Sequence, residues 1–210
     1  MAIKESHATE RAPGRPRLFD PEGALAAALD LFWSQGYRTT TTRDLEKALG
    51  MSQSSIYNAF GSKQDLLEAT LDLYELLADE ELVQPLVNAK EGVEAIDKFL
   101  LAHYHWVTQP GKRGCLVSNM MAEDGGTTDM ITKRSREYRR QIRTTIRMAL
   151  KRAAKTGELT DVSLDDRADL LLGMVLGLNI ASRGGASYTE LGRMLDAARG
   201  QLDAWRSTPS

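Results

Sequence analysis

From Asp20 to Trp205 the apolar residues of this chain return at intervals of three and four, and glycines cut the pattern into short lengths. That interval is the repeat of one face of an α-helix, whereas a half-buried strand alternates, and no stretch here alternates clearly. Asp20-Pro21-Glu22 opens the first length with a capping side chain, a proline at the first helical position and an acid at the positive end of the helix dipole. Leu25, Ala28, Leu29, Phe32 and Trp33 then share a face, and Gly36 ends it. The threonines Thr39 to Thr42 open a second helix with Leu45, Ala48 and Leu49 inward, and Gly50 stops it. Ser52 opens a third, in which Met51, Ile56 and Phe60 are the inward residues. Gly61 breaks that one, and Ser62 with Asp65 caps a long fourth helix expected to end near Pro85. Further stripes run along Ile96–Val107, Cys115–Ala122, residues 128–156, Asp165–Ser182 and a last helix opened by Ser187 and Glu190. The expected fold is all-α, with about nine helices.

Composition narrows what such a fold does. At 210 residues and 42 % hydrophobic content the chain can bury a sizeable core. A net charge of -2 gives no bulk attraction to nucleic acid, although a global sum hides local asymmetry. The single cysteine, Cys115, excludes an intramolecular disulfide and fits a reducing cytoplasm. No apolar leader follows Met1, and the apolar run from Leu170 to Ala181 is shorter than the ~20 residues that span a bilayer. A cytoplasmic protein with no membrane association is expected. Residues 1–19 form a polar segment interrupted by Pro13, Gly14 and Pro16. Arg11, Arg15 and Arg17 make it either a basic arm able to touch phosphates or a plain solvated tail.

The third helix is the unusual one. It is short and polar, and it stands between strongly apolar neighbours. Helices two and three are joined only by Gly50 and Met51, the spacing of a helix-turn-helix. In that arrangement one narrow face packs, and the first turn must be small enough for a major groove about 12 Å wide. Gln53, Ser54 and Ser55 meet that need: glutamine pairs with adenine, and serine with a base edge or a phosphate. Thr42, Arg43, Tyr57, Asn58 and Lys63 are placed for phosphates, which fix register and carry little sequence information.

The stretch from Thr41 to Leu67, TTRDLEKALGMSQSSIYNAFGSKQDLL, resembles the N-terminal domain of the TetR/AcrR family of transcriptional regulators, as does Ala27 to Tyr37 before it. Together they cover about a quarter of the chain. The resemblance implies a homodimer with a DNA-binding head on a palindromic operator of double-stranded DNA, and a helical body that binds a small-molecule effector. Ser54 stands where the family often has glycine, and Asn58 where it often has histidine, which leaves the operator sequence open. The expected organisation is an arm over 1–19, a helix-turn-helix head over 20–66 and a regulatory and dimerisation body over 67–210.

In the body, the helix Ala168–Ala181 is apolar all round and must be covered all round. Gly173 and Gly177 allow close approach, either within the chain or across a dimer, with the last helix completing a four-helix interface. His103 and His105 are two apart and point to opposite sides, so they do not share a metal. No metal or cofactor is expected. His103, Trp106, Asn119, Met120, Met174 and Asn179 put polar or adaptable groups on apolar helices, as core residues or as the lining of an effector pocket. Cys115, beside Lys112 and Arg113 at a helix start, is a buried cysteine or an oxidant and electrophile sensor. The basic outer face from Arg136 to Lys151 reads as a solvated surface. The leading function is a ligand-responsive repressor. Its alternatives are a repressor acting through Cys115, a helical enzyme or a scaffold, and the scattered histidines disfavour the enzyme.

Overall fold

A computed structural model describes residues 20–110, 113–125, 128–159 and 163–206, so the expected basic arm lies outside it. Among the described residues there are α-helices, one π turn and no strand. Helices α1 (Pro21–Gln35), α2 (Thr42–Leu49) and α3 (Gln53–Phe60) form the head. Helix α4 (Lys63–Ala78) runs through a π turn (Asp79–Val83) into α5 (Gln84–Asn88) without a break. The body continues with α6 (Val93–Val107), α7 (Leu116–Asp124), α8 (Asp129–Lys155), α9 (Leu164–Arg183) and α10 (Tyr188–Ala204). Counting α4, the π turn and α5 as one rod gives nine helical rods among the described residues, as the repeat predicts.

The starts fall where capping side chains put them. Asp20 accepts from the Gly23 amide at 3.0 Å. Thr41 with Asp44, Ser62 with Asp65 and Ser187 with Glu190 each form a reciprocal capping box, satisfying amides that the first turn leaves without partners. The hydrogen bonds from Thr41 and Ser62 hold the Asp44 and Asp65 carboxyls below the usual carboxylate range.

The long rod passes through Pro85 and ends three residues beyond it, at Asn88. A proline inside an α-helix lacks the N–H of its turn, and its ring collides with the carbonyl four residues back. Here the wide turn at Asp79–Val83 comes just before it, and Pro85 sits in the first turn of α5, where the missing donor costs little. Ala48 is exposed rather than inward, and Leu45 alone of α2 is fully buried.

Head and body share a core. Trp33 of α1 meets Tyr74 of α4 and Trp106 of α6, with ring centroids 5.1 and 5.7 Å away. Trp106 Nε1 donates to the Tyr74 hydroxyl at 3.0 Å, and Trp33 Nε1 donates to the Gly114 carbonyl at 3.1 Å. In the body, α6 begins against the end of α8. Glu158 accepts from the Gly92 amide at 3.2 Å and the Val93 amide at 3.0 Å, capping α6 from outside its own sequence. Helix α9 is charged in its first turn and apolar along most of its length from Leu170, yet Leu170 and Ile180 are 44 % and 71 % exposed within one chain. The basic face of α8 is partly engaged, since Arg143 and Arg147 pair with Asp165 and Asp169 of α9.

Candidate nucleic-acid interface

The interface starts from two buried anchors. Leu45 and Ile56 fix α2 and α3 to the head core. Gly50, in the left-handed conformation at φ 65°, ends α2, and the Ser52 side chain caps α3 three residues later. Glu46 Oε1 accepts from the Gln53 amide at 2.8 Å and so ties the first turn of α3 to α2. Glu46 was absent from the residues expected here. Its role depends on a contact across the turn that no local spacing reveals.

Everything left over points outward. Arg43, Gln53, Ser54, Ser55 and Asn58 are exposed, and Thr42 and Tyr57 half-buried. Glu46, Ser52, Gln53, Ser54 and Tyr57 line an open concave surface of about 450 Å³. Thr42 Oγ1 lies 3.4 Å from the Tyr57 hydroxyl at its edge. Ser55 and Asn58 line a different groove, between α3 and the start of α1, together with Ala48, Gly50 and Met51. The polar residues of α3 therefore divide into two faces.

Lys63 also departs from its expected place. Placed by its sequence position among the phosphate contacts, its ammonium instead turns inward. It donates to the Tyr37 carbonyl at 2.7 Å and the Thr40 carbonyl at 2.5 Å, and it lies 4.4 Å from the centre of the Tyr37 ring. Burial pulls its pKa below the usual lysine value, against the pull of Glu123 and Asp44. The lysine pins the turn between α1 and α2. Lys63→Met should weaken duplex binding roughly tenfold by loosening that turn. The salt dependence of binding should stay unchanged, whereas loss of a phosphate contact would flatten it by about one per protomer. Binding measured across a salt series separates the two.

The six body residues expected around an effector do not share one surface. His103 Nε2 lies 3.0 Å from Asn179 Oδ1, both side chains buried. Trp106 spends its indole N–H on Tyr74, and Asn119 donates to the Arg113 carbonyl at 2.7 Å. Met120 is buried beside the head, and Met174 is half-buried against the core. Cys115 precedes α7 with its side chain buried, so a reagent reaches the thiol only if this part of the core opens. Burial, and then the proximity of Cys115, push the Tyr74 phenol well above its usual range. His105 is exposed while His103 is buried, as their spacing requires. Among the described residues, no group of histidine, cysteine or acidic side chains is placed to hold a metal, and no helix is long and apolar enough to cross a membrane.

Comparison with known proteins agrees with this geometry. Residues 24–70 match the profile described as bacterial regulatory proteins, tetR family. Residues 92–207, more than half of the chain, match the tetracyclin repressor-like C-terminal domain. The chain is similar to the HTH-type transcriptional repressor ComR of Escherichia coli (strain K12), at 27 % identity over 196 residues, covering 91 % of this chain and 92 % of that one. It is also similar to BdcR of the same organism, at 42 % identity over 64 residues, which covers 30 % of this chain and 32 % of the repressor. Among solved structures it resembles a cysteine-substituted TetR family regulator CifR complexed with 26-bp double-strand operator DNA. That likeness has a TM-score of 0.75 at 26 % identity and covers 91 % of this chain and 100 % of CifR. A domain profile on the head, another along most of the body, and an exposed polar helix held by a glycine turn lead to one conclusion: the chain belongs to the TetR family of DNA-binding transcriptional regulators.

Proposed function

We propose that this protein is a repressor that binds a palindromic operator as a homodimer and leaves it when a small, mostly apolar molecule occupies its body. The observation that carries the reading is the exposed face of Gln53 and Ser54, with half-buried Tyr57 at its edge, held outward by buried Leu45 and Ile56. Similarity to ComR, named as a repressor, and to CifR, solved on operator DNA, supports the same reading. The exposed Leu170 and Ile180 of α9, with open space beside Gly173, support a partner helix there. Two buried atoms, His103 Nδ1 and Asn179 Nδ2, make no hydrogen bond among the described residues, and a ligand offering one or two polar groups would satisfy them.

The test is selection of a preferred duplex from random sequence, followed by gel shift. Gln53→Ala should cost about 1–3 kcal/mol at the base pair it reads and relax preference at that position. Tyr57→Ala should instead weaken all sequences alike. A purified dimer with no preference for any palindrome over random DNA would overturn the proposal.

A further inference from the structure

The concave face beside α3 is lined by Glu46, Ser52, Gln53, Ser54 and Tyr57, which include one acid and no lysine or arginine. A duplex surrounds its base edges with phosphates, so an acid on this face works against binding in general. Glu46 belongs to α2, and its Oε1 accepts from the Gln53 amide at 2.8 Å. Its Oε2 accepts no hydrogen bond among the described residues. No lysine or arginine among them pairs with it, although Arg43 and Lys47 share its helix. One oxygen therefore fixes the half-buried side chain, and the other is left over.

The start of α3 is also a poor seat for a phosphate. Helix starts attract anions because their first amides lack partners. Here the Gln53 amide is taken by Glu46, and the Ser55 amide by Ser52 Oγ at 3.3 Å. The Ser52 hydroxyl is itself 3.0 Å from Ser54 Oγ and 2.9 Å from Ser55 Oγ. An anion arriving there meets a carboxylate and donors already in use.

We propose that Glu46 is a specificity-determining residue, whose free oxygen takes the exocyclic amine of a cytosine or adenine while its charge turns phosphates away from the same face. In the major groove cytosine presents N4–H and adenine N6–H as donors, where guanine and thymine present oxygen acceptors. A glutamine amide such as that of Gln53 can offer either end to a base, whereas a carboxylate has only acceptors. Glu46 thus gains from an amine and is repelled by a carbonyl. Complexes out of register depend on phosphates, and the same charge weakens them. Specificity is a difference of affinities, and an element that repels the wrong complex raises it. The inference rests on the operator-binding reading above.

The test compares unmodified protein with Glu46→Gln and Glu46→Ala on two duplexes, the selected operator and a scrambled duplex of the same composition. Glutamine keeps an oxygen for the Gln53 amide and removes the charge; alanine removes both. Glu46→Gln should bind the scrambled duplex about threefold more tightly at ~0.05 M salt, a gain that fades by ~0.3 M as repulsion is screened. Its operator affinity should fall about tenfold, as for one lost base contact. Repeating the selection with this variant should relax one position in each half-site, where the unmodified protein takes cytosine or adenine. Glu46→Ala should lose more operator affinity, since the first turn of α3 also loses its tie. If Glu46→Gln matches the unmodified protein on both duplexes and only Glu46→Ala is impaired, Glu46 is a cap alone and the proposal is overturned. Unchanged base preference in Glu46→Gln overturns the base contact, and unchanged scrambled-duplex affinity overturns the repulsion. Failure of the unmodified protein to prefer any duplex refutes the operator reading, and the repulsion is still decided on scrambled DNA.

Discussion

Gly92→Ala is expected to lower the unfolding free energy by about 4 kcal/mol, a large share of what holds a domain of this kind together. The backbone of Gly92 is ordinary, at φ -94° and ψ -66°, so conformational strain is not the cause. The cause is proximity. A β-carbon at Gly92 would fall well inside van der Waals contact of the N, Cα and Cβ of Ala153. Ala153 is fully buried in α8, a helix of 27 residues, and its backbone cannot yield locally. The start of α6 must then move outward, and Glu158 loses the Gly92 and Val93 amides it caps. Overpacking contributes about 3 kcal/mol and the disrupted cap about 1. Urea unfolding at fixed protein concentration measures the sum, since the stability of any assembly of chains varies with concentration. Adding Ala153→Gly should not rescue the variant, because the N and Cα of residue 153 are as much in the way as its side chain. A midpoint within the error of the unmodified protein would show that α6 and α8 are not packed this closely.

The second large effect is one of pH. Burial lowers the His103 pKa to about 4, against the Asn179 hydrogen bond, which raises it. An unfolded histidine titrates near 6.5. Between those values the unfolded chain takes up a proton that the folded chain refuses. Stability from this residue is therefore complete above pH ~6.5 and is lost as pH falls toward ~4, by about 3 kcal/mol in all. Carboxylates titrate over part of the same range, so the readout is a difference. His103→Leu should flatten the fall in stability between neutral pH and pH ~4 relative to the unmodified protein, whatever it does to stability at neutral pH. Parallel pH profiles for the two proteins would place the His103 ring in contact with water.

The sequence carried the parts of this fold that depend on neighbours a few residues apart. Asp20, Thr41, Ser52, Ser62 and Ser187 all cap the helices they were expected to open, because a cap and the amide it serves are three residues apart. The exposed face of α3 was legible for the same reason. Contacts between distant residues were not. The Tyr37 amide donates to Glu123 of α7, 86 residues away, and Arg183 of α9 donates to the Trp33 carbonyl, 150 residues away, and these bonds orient the head. Lys63 looked like a phosphate contact because its side chain is long and follows the exposed helix directly. Only the fold places two carbonyls within its reach.

The π turn between α4 and α5 has a geometric consequence. The residues Thr70, Tyr74, Ala78, Leu82 and Leu86 are all buried and follow one another in steps of four. An α-helix turns about 100° per residue, so each step of four overshoots by about 40°, and four steps would carry Leu86 about 160° away from Thr70. An unbroken α-helix could not keep both ends of this series on one side. The wider turn at Asp79–Val83 spends one extra residue and sets the phase back, so the rod keeps a single buried edge along its length. Its sequence is thus written in two frames, and Asp79–Val83 is where one changes to the other. Removing one residue there would restore a regular helix of the same phase and leave Leu86 facing the core, whereas a regular helix drawn through all the present residues would rotate it out.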